Sequence, residues 1–335
     1  MKNIFLEQSY VEKVIKKLSK LGSLFQYETL AEVKVKNKVF PIYGLQIGPN
    51  DKNLPVMGLF GGVHGLEKIG THVIVNYLNS LANKINWNIA LTKNLETLRV
   101  VSIPIVNPGG MYLRNRSNPN GVDLMRNAPV DAEMGKAFWP AGQTLSPKIP
   151  WYRGNPQDME LENKVLFDFV SKNLYPAPFS MALDIHSGFG WQDRMWYPYG
   201  KTMRPFDDEA LARKIARYFK VSHPFHNYKF EKQSDSYMIH GDMWDHMYDS
   251  FKKLNYNSKF LPWTLEIGSW SWLLSRPHRI FNAAGLFHTD DSSKYAYVMR
   301  KHWGLLDFFK DMTIHHKAWV KEQGSKEDLN RIVGF

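Results

Sequence analysis

The 335-residue sequence predicts an α/β domain from two features of the chain. Four apolar runs are too short for helices and too apolar for half-exposed strands, which is typical of buried central strands. These runs are PVMGLFGG, LRVVSIPIVNPGG, FSMALDIHSG and LPWTLEIGS. Stretches with apolar residues at helical spacing separate the runs, and this alternation indicates a sheet with helices on its faces. The chain is 44% apolar, enough for a sizeable core.

The first part of the chain, over about residues 1–50, predicts a helix followed by a hairpin. Apolar residues recur at helical spacing up to Leu18, and Glu7 and Glu12 interrupt the apolar stretch that a secretory signal peptide would need. The stretch VKVKNKVFPIYGLQIG alternates apolar and polar residues around Lys36–Lys38, which predicts an antiparallel hairpin at one edge of the sheet. No run approaches the ~20 apolar residues that span a bilayer, so we expect a cytoplasmic protein without a membrane partner.

Helices and one long loop connect the buried strands of the predicted core, which covers about residues 55–290. Helices are predicted over residues 67–85, 159–174 and 207–219. The stretch from Arg114 to Trp151 shows little periodicity, and a loop of that length inside a compact domain is usually functional. One or two helices are predicted to close the domain over about residues 292–320.

The composition excludes several classes of site. The chain has no cysteine, so any bound metal must be held by His, Asp or Glu. Its 43 basic and 32 acidic residues give a formal charge of +11, which favours anionic partners and is compatible with an acidic substrate. The basic residues are scattered and form no nucleic-acid-binding motif, so we expect no nucleic-acid partner.

Chemically reactive side chains stand where the apolar runs end. His64 and Glu67 follow the first run, His186 ends the third, and Glu266 lies in the fourth. Ligands bind beyond the carboxyl ends of the strands in open α/β sheets, so these side chains are candidates for one site. Catalytic zinc uses three nitrogen or oxygen ligands, and the first three residues supply such a set. Glu266, on a separate strand, is the predicted base for a metal-bound water.

Arginines in the loop after the second run add positive charge to this site. Arg114, Arg116 and Arg126 can polarise a scissile carbonyl, stabilise an oxyanion and hold an anionic substrate group. Simpler interpretations exist, because the histidines can be buried and satisfied by backbone, and Glu266 can belong to a structural ion pair. The combined pattern favours zinc-dependent hydrolysis.

Six short motifs occur in a fixed order between Pro55 and Gly268. They are His64-x-x-Glu67, Asn107-Pro108-Gly109-Gly110, Arg116-x-Asn118, Gly121-Val122-Asp123-Leu124-Met125-Arg126-Asn127, Asp184-Ile185-His186-Ser187-Gly188 and Thr264-Leu265-Glu266. Together they resemble the zinc carboxypeptidase family, the funnelin-like metallopeptidases, with a more distant similarity to the succinylglutamate desuccinylase and aspartoacylase group. The resemblance implies one catalytic domain over residues 1–335, with a mixed, twisted sheet of roughly eight strands flanked by helices.

The resemblance also implies a metal centre with one Zn²⁺ per chain. It places the metal ligands on His64, Glu67 and His186 and the general base on Glu266. Asp123 matches the carboxylate that orients the first histidine, a partner that metal-bound imidazoles generally have.

Substrate contacts follow from the same resemblance. Arg126 matches the arginine that binds a terminal carboxylate, with Asn127 beside it in the same motif. The oxyanion-stabilising arginine falls on Arg116, with Arg114 as the alternative and a further candidate for substrate binding. The tyrosine that closes over the substrate falls on Tyr248, with Tyr256 as the alternative.

One departure from the family pattern concerns the substrate. The usual Asn-Arg pair is Met125-Arg126 in this chain, and a thioether cannot replace the two donors of an amide. We therefore expect a zinc-dependent metallocarboxypeptidase that hydrolyses a C-terminal or side-chain-linked peptide bond. The alternatives are an amidohydrolase of an N-acyl amino acid or murein peptide, and a non-catalytic protein that binds an acidic partner. The oligomeric state stays open.

Overall fold

The computed structural model describes residues 5–133, 135, 137, 139–254, 256–270 and 292–320. The strands are β1 (Phe25–Val35), β2 (Lys38–Ile47), β3 (Val56–Gly61), β4 (Arg99–Ile103), β5 (Phe179–Ser187), β6 (Arg194–Tyr197), β7 (Lys229–Lys232) and β8 (Lys259–Ile267). They form one mixed sheet with the order β1-β2-β4-β3-β5-β8-β6-β7. The prediction of a mixed sheet of roughly eight strands is confirmed.

Helices lie between and after these strands. They are α1 (Leu6–Leu18), α2 (Lys68–Lys84), α3 (Ile89–Glu96), α4 (Pro108–Leu113), α5 (Leu161–Asn173), α6 (Glu209–Ser222), α7 (Met243–Lys253), α8 (Ser292–Ile314) and α9 (His316–Val320). Short 3-10 turns cover Ser19–Leu24, Leu124–Arg126 and Gln233–Asp235. None of the helices in these described ranges is both long and apolar enough to cross a membrane.

The four apolar runs form the centre of the sheet. Strands β4, β3, β5 and β8 are neighbours and run parallel, and β3, β4 and β5 are buried along their whole lengths. Strands buried on both faces read as continuous apolar segments, which is why the sequence pattern identified them. Their parallel direction brings their carboxyl ends to one edge of the sheet.

Helices cover both faces of this central region. The ring of Phe60 on β3 lies 6.3 Å from Phe169 of α5 and 5.3 Å from Trp244 of α7. A Cβ on the next residue, Gly61, would meet Ile74 of α2 at 2.8 Å. Successive residues of a strand point to opposite faces, so α2 lies on one face of the sheet and α5 and α7 lie on the other.

The predicted edge hairpin is present. Strands β1 and β2 pair antiparallel through a two-residue turn at Lys36 and Asn37, and Lys36 has φ 53°. A left-handed conformation there matches the twist of a tight hairpin. The turn places β1 at the outer edge of the sheet.

Five elements were absent from the sequence-based prediction, namely α3, α4, β6, β7 and α7. Strands β6 and β7 have four residues each and begin with Arg194 and Lys229, so neither gives a readable alternating pattern. Helix α7 was not predicted either, although Asp242 caps it by accepting a hydrogen bond from the Asp245 N–H at 2.8 Å. Of the predicted segments, residues 1–4 and 271–291 lie outside the described residues, as does the C-terminal stretch 321–335.

Candidate active site

The predicted site residues meet at the carboxyl edge of the central strands. His64 follows the end of β3. His186 is the second-last residue of β5, and Glu266 is the second-last residue of β8. His186 and Glu266 are directly opposite each other in the β5–β8 register, so their side chains share one face of the sheet. The strand-end argument from the sequence therefore brings these residues to one edge of the sheet.

Three candidate metal ligands converge in a buried cluster. Atoms from His64, Glu67 and His186 all lie within 4.8 Å of one another. The two oxygens of Glu67 lie 2.7 Å from Nδ1 of His64 and 3.0 Å from Nδ1 of His186. The two Nδ1 atoms are 3.2 Å apart. The arrangement is compact enough for one cation to contact all three side chains.

The hydrogen bonds behind the histidines fit a metal centre. Nε2 of His64 lies 3.0 Å from Asp123, and Nε2 of His186 lies 2.7 Å from Asp184. Ionised carboxylates only accept hydrogen bonds, so each Nε2 carries the proton and each Nδ1 presents a lone pair. Two lone pairs and a carboxylate that face one another repel unless a cation or proton lies between them. The donor set therefore suits Zn²⁺.

Other groups hold the two supporting carboxylates in place. Asp123 accepts hydrogen bonds from Nε of Arg116 at 2.9 Å and from the Met125 N–H at 3.1 Å. Burial alone would raise the pKa of Asp123, but Arg116 and His64 hold that pKa well below its usual range. Asp184 accepts a hydrogen bond from Nε1 of Trp244 at 2.9 Å. Sequence reasoning missed Asp184 as a partner of His186, although two residues apart on a strand share one face.

Glu266 faces the same cavity as the metal cluster. Burial and the neighbouring Glu67 carboxylate raise the pKa of Glu266, while His186 and Arg116 oppose this change. Such surroundings favour a carboxyl group that can hold a proton.

Arg116 and Arg126 also line the cavity. Arg116 donates to Glu67 at 3.2 Å as well as to Asp123. Arg126 is buried, and its Nη1 donates to the Met125 carbonyl at 2.9 Å, whereas its Nε has no hydrogen-bond partner among the described residues. Arg114 is exposed on the left-handed C-cap of α4, with φ 56°, and does not line this cavity. Of the two oxyanion candidates, only Arg116 lies at the site.

Three residues predicted to contact the substrate do not line this cavity. Asn127 is buried behind the site, where its side chain donates to the Arg153 carbonyl at 2.8 Å and accepts from the Glu160 N–H at 2.7 Å. Tyr248 is buried in α7, and its hydroxyl donates to Asp208 at 2.8 Å. Its alternative, Tyr256, is 44% exposed and stacks on Phe251. Hydrogen bonds hold Asn127 and Tyr248 in buried positions away from the cavity, and Tyr256 lies at the surface against Phe251 of α7.

A different tyrosine, Tyr237, faces the cavity. It follows the 3-10 turn Gln233–Asp235 and lies 5.6 Å from Phe189 and 5.8 Å from Trp196, measured between ring centres. Burial raises its pKa, and Arg126 opposes this change. Sequence reasoning missed Tyr237 because no motif surrounds it.

The cavity has a volume of about 500 Å³ and a largely apolar wall. Its lining residues are His64, Glu67, Arg116, Met125, Arg126, Ala141, Trp151, His186, Ser187, Gly188, Phe189, Trp196, Gln233, Ser236, Tyr237, Thr264 and Glu266. Such a cavity, with a few convergent polar groups, is typical of a small-molecule or peptide-end site.

Comparisons with known proteins agree with this geometry. The family model for zinc carboxypeptidases matches residues 38–269. Carboxypeptidase SOL1 from Arabidopsis thaliana is 24% identical over 280 residues, which cover 80% of this chain and 51% of that protein. Carboxypeptidase A1 from Bos taurus is 27% identical over 191 residues, which cover 53% of this chain and 43% of that protein. The chain thus spans about half the length of these curated relatives.

Solved structures share the fold. A thrombin-activatable fibrinolysis inhibitor aligns with a TM-score of 0.67 and 17% identity, over 93% of this chain and 78% of that one. Carboxypeptidase A from Helicoverpa armigera aligns with a TM-score of 0.60 and 15% identity, over 91% of this chain and 75% of that one. At these identities the similarity extends to the architecture of the sheet and helices.

Proposed function

The chain belongs to the zinc carboxypeptidase family, and from this we propose that it is a zinc-dependent metallopeptidase that removes the C-terminal residue of a peptide. One observation carries the proposal. The His64–Glu67–His186 cluster, Glu266 and Arg126 line a single cavity. A metal centre, a base and a carboxylate-binding cation are the groups that this reaction needs.

Each residue would have a distinct task in hydrolysis. Bound zinc would supply Lewis acidity toward a carbonyl oxygen and a lower pKa for water. Glu266 would take a proton from the attacking water on its carboxylate and pass it to the leaving amine. Arg116 would donate hydrogen bonds to the oxygen on which negative charge develops, from a guanidinium already oriented by Asp123.

Arg126 would hold the free carboxylate of the substrate. Its guanidinium is buried, lines the cavity and has an Nε without a partner among the described residues, so it has donors to offer. A charged pair in such surroundings is strong because little water screens it.

The cavity wall favours a neutral, apolar C-terminal side chain. Met125, Trp151, Phe189 and Trp196 contribute apolar surface, and Tyr237 adds a further ring. Gln233, Ser236 and Thr264, which also line the cavity, are polar but uncharged.

The acidic group behind this wall is already engaged. Glu231 accepts hydrogen bonds from Nε1 of Trp196 at 3.2 Å and from Arg194, and it pairs with Lys229 at 2.5 Å. A basic substrate side chain would therefore find no unpaired carboxylate at this position.

A paired peptide digest tests the proposal. Peptides that end in phenylalanine, lysine or glutamate are prepared with a free carboxylate and with a C-terminal amide, and products are identified by mass spectrometry. The proposal predicts release of one residue from the free-acid phenylalanine peptide and little release from its amide. Internal cleavage, or equal cleavage of acid and amide, would overturn it.

Matched arginine variants sharpen this test. Arg126→Ala should lower kcat/KM by ~100-fold or more, because losing one partner of a buried charge pair costs about 2–5 kcal/mol. Arg213→Ala removes an exposed arginine paired with Glu209 on α6, away from the cavity, and should leave kcat/KM unchanged.

Met125 favours one second candidate, hydrolysis of an N-acyl amino acid. It lines the cavity beside Arg126 with a thioether instead of an amide, so the carboxylate contact there is weaker than an Asn-Arg pair would give. Faster turnover of an N-acyl amino acid than of any peptide in the panel would support this candidate. Chelator-insensitive binding of an acidic partner without turnover would instead support a binding protein.

A further inference from the structure

We propose that Asp193 is a positioning residue that holds the end of β8, and with it Glu266, against the loop of residues 188–192. Asp193 is 5% exposed and does not line the cavity, so it would act on the reaction only through other residues. The kinetic part of this inference rests on the proposed function.

The first contact of Asp193 is with the end of β8. Its Oδ1 accepts a hydrogen bond at 2.8 Å from the N–H of Gly268, two residues after Glu266. A Cβ on Gly268 would lie 2.7 to 2.9 Å from backbone atoms of Gln192. The two backbones are therefore in direct contact, and only glycine permits this approach.

The loop that Asp193 fixes in this way also touches the site. The Gly188 N–H donates at 3.3 Å to the carbonyl of Ile267, the residue directly after Glu266. Gly188 and Phe189 both line the cavity. A shift of the segment held by Asp193 would consequently move both the base and one wall of the cavity.

Helix α8 supplies the countercharge for Asp193. Nζ of Lys301 lies 2.6 Å from Oδ2, and Nε2 of His302 lies 3.7 Å from the same oxygen. Burial lowers the pKa of His302 to about 4 although Asp193 opposes this, so Lys301 provides the positive charge at neutral pH. Burying the Asp193 carboxylate without a countercharge would destabilise the fold, so Lys301 is needed to keep Asp193 in this position.

Strand β7 is joined to the same residue. The Lys229 N–H donates to the backbone carbonyl of Asp193 at 3.0 Å. Arg194, the next residue, is the register partner of Glu266 in the β6–β8 pair. Asp193 thus connects β7, β8 and α8 close to Glu266, the proposed base.

Two variants at this position separate positioning from simple stabilisation. Asp193→Asn keeps an oxygen that can accept from Gly268, whereas Asp193→Ala removes it. We expect Asp193→Ala to lower kcat by ~10- to 100-fold with zinc content unchanged, because misplacement by about 1 Å can cost that much. Asp193→Asn should stay within about three-fold of the wild-type kcat.

Asp208→Ala is the matched control. Asp208 is also buried and pairs with Lys259 at 2.6 Å, but it lies at the opposite end of β8. This variant should be less stable than the wild type but keep its kcat. If kcat falls equally in Asp208→Ala and Asp193→Ala, the inference is overturned. A complete loss of kcat in Asp193→Asn would also overturn it.

Amide hydrogen exchange decides the inference without any need for activity. In Asp193→Ala, exchange should accelerate at least ten-fold at residues 188–190 and 266–268, and Asp193→Asn should restore protection. Unchanged exchange there in Asp193→Ala would overturn the positioning role. If the wild-type protein cleaves no peptide, the proposed function fails, and the exchange result still supports or refutes the inference.

Discussion

Glu7 gives a prediction about stability that can be worked out from the structure. This carboxylate lies on α1, is buried, and contacts Nζ of Lys68 at 2.9 Å and Nε2 of His72 at 3.6 Å, both on α2. Burial alone would raise the pKa of Glu7, but His72 and Lys68 lower it from 4.5 to about 2. The contact joins the first helix to the start of the helix that follows Glu67.

The sign follows from the lowered pKa. The folded protein binds the Glu7 proton less tightly than the unfolded chain, so the ionised carboxylate stabilises the fold above the unfolded pKa. This contribution is lost as the pH falls from about 5 to about 2. One pKa unit corresponds to about 1.4 kcal/mol, so the whole contribution is about 3 kcal/mol. Roughly 2 kcal/mol of it should disappear between pH 6 and pH 3.

Urea unfolding of the wild type and Glu7→Gln at pH 6 and pH 3 measures this contribution. Both proteins are first stripped of metal, so that metal release at low pH does not enter the comparison. The free-energy difference between them should shrink by about 2 kcal/mol on acidification. A difference that stays constant or grows as the pH falls would refute the reasoning. Glu12→Gln, at a half-buried position on the same helix, is the control and should show little change.

Three further predictions concern the site and its corrected residues. Glu266→Gln should keep its zinc and lose about 10²- to 10⁴-fold in kcat, measured on the phenylalanine peptide, and an active variant would contradict the assignment of the base. Asp184→Asn should weaken zinc binding by about 10- to 100-fold in a chelator competition, because the partner that orients His186 loses its charge; unchanged affinity would show that this contact is dispensable. Tyr248→Phe should change kcat/KM by no more than about two-fold while costing about 1 kcal/mol in urea unfolding, through the lost bond to Asp208; a large kinetic loss would mean that Tyr248 reaches the substrate after all.

The central strands and the residues at their ends were predictable from the sequence because their signals are local. A continuous apolar run marks a strand buried on both faces, and the residue that follows it must lie at the sheet edge. This places His64, His186 and Glu266 together with no knowledge of the fold. The structure brings these three residues to one cavity.

The other side of the cavity was harder to predict because long-range packing determines it. The resemblance predicted that Tyr248 closes over the substrate, but Asp242 caps a helix that buries Tyr248. Tyr237 faces the cavity because β6 and β7, two strands of four residues each, hold the preceding turn. Strands that short and charged carry too little pattern to be recognised.

Arg114 and Asn127 show the same limit at single-residue scale. Both belong to the predicted loop. Arg114 itself adopts a left-handed conformation at the end of α4 and is exposed, and Asn127 binds the backbone of two neighbouring segments. Which way a loop side chain points depends on contacts that motif spacing does not describe.

Zinc stoichiometry, measured by elemental analysis of the purified wild type, Glu266→Gln and His186→Ala after dialysis against dilute zinc, tests the central claim most directly. The geometry predicts about one zinc ion per chain in the wild type and in Glu266→Gln, because Glu266 is outside the ligand cluster. His186→Ala should lose most of this zinc. No zinc in the wild type, or an equal amount in His186→Ala, would contradict a metal centre at His64, Glu67 and His186.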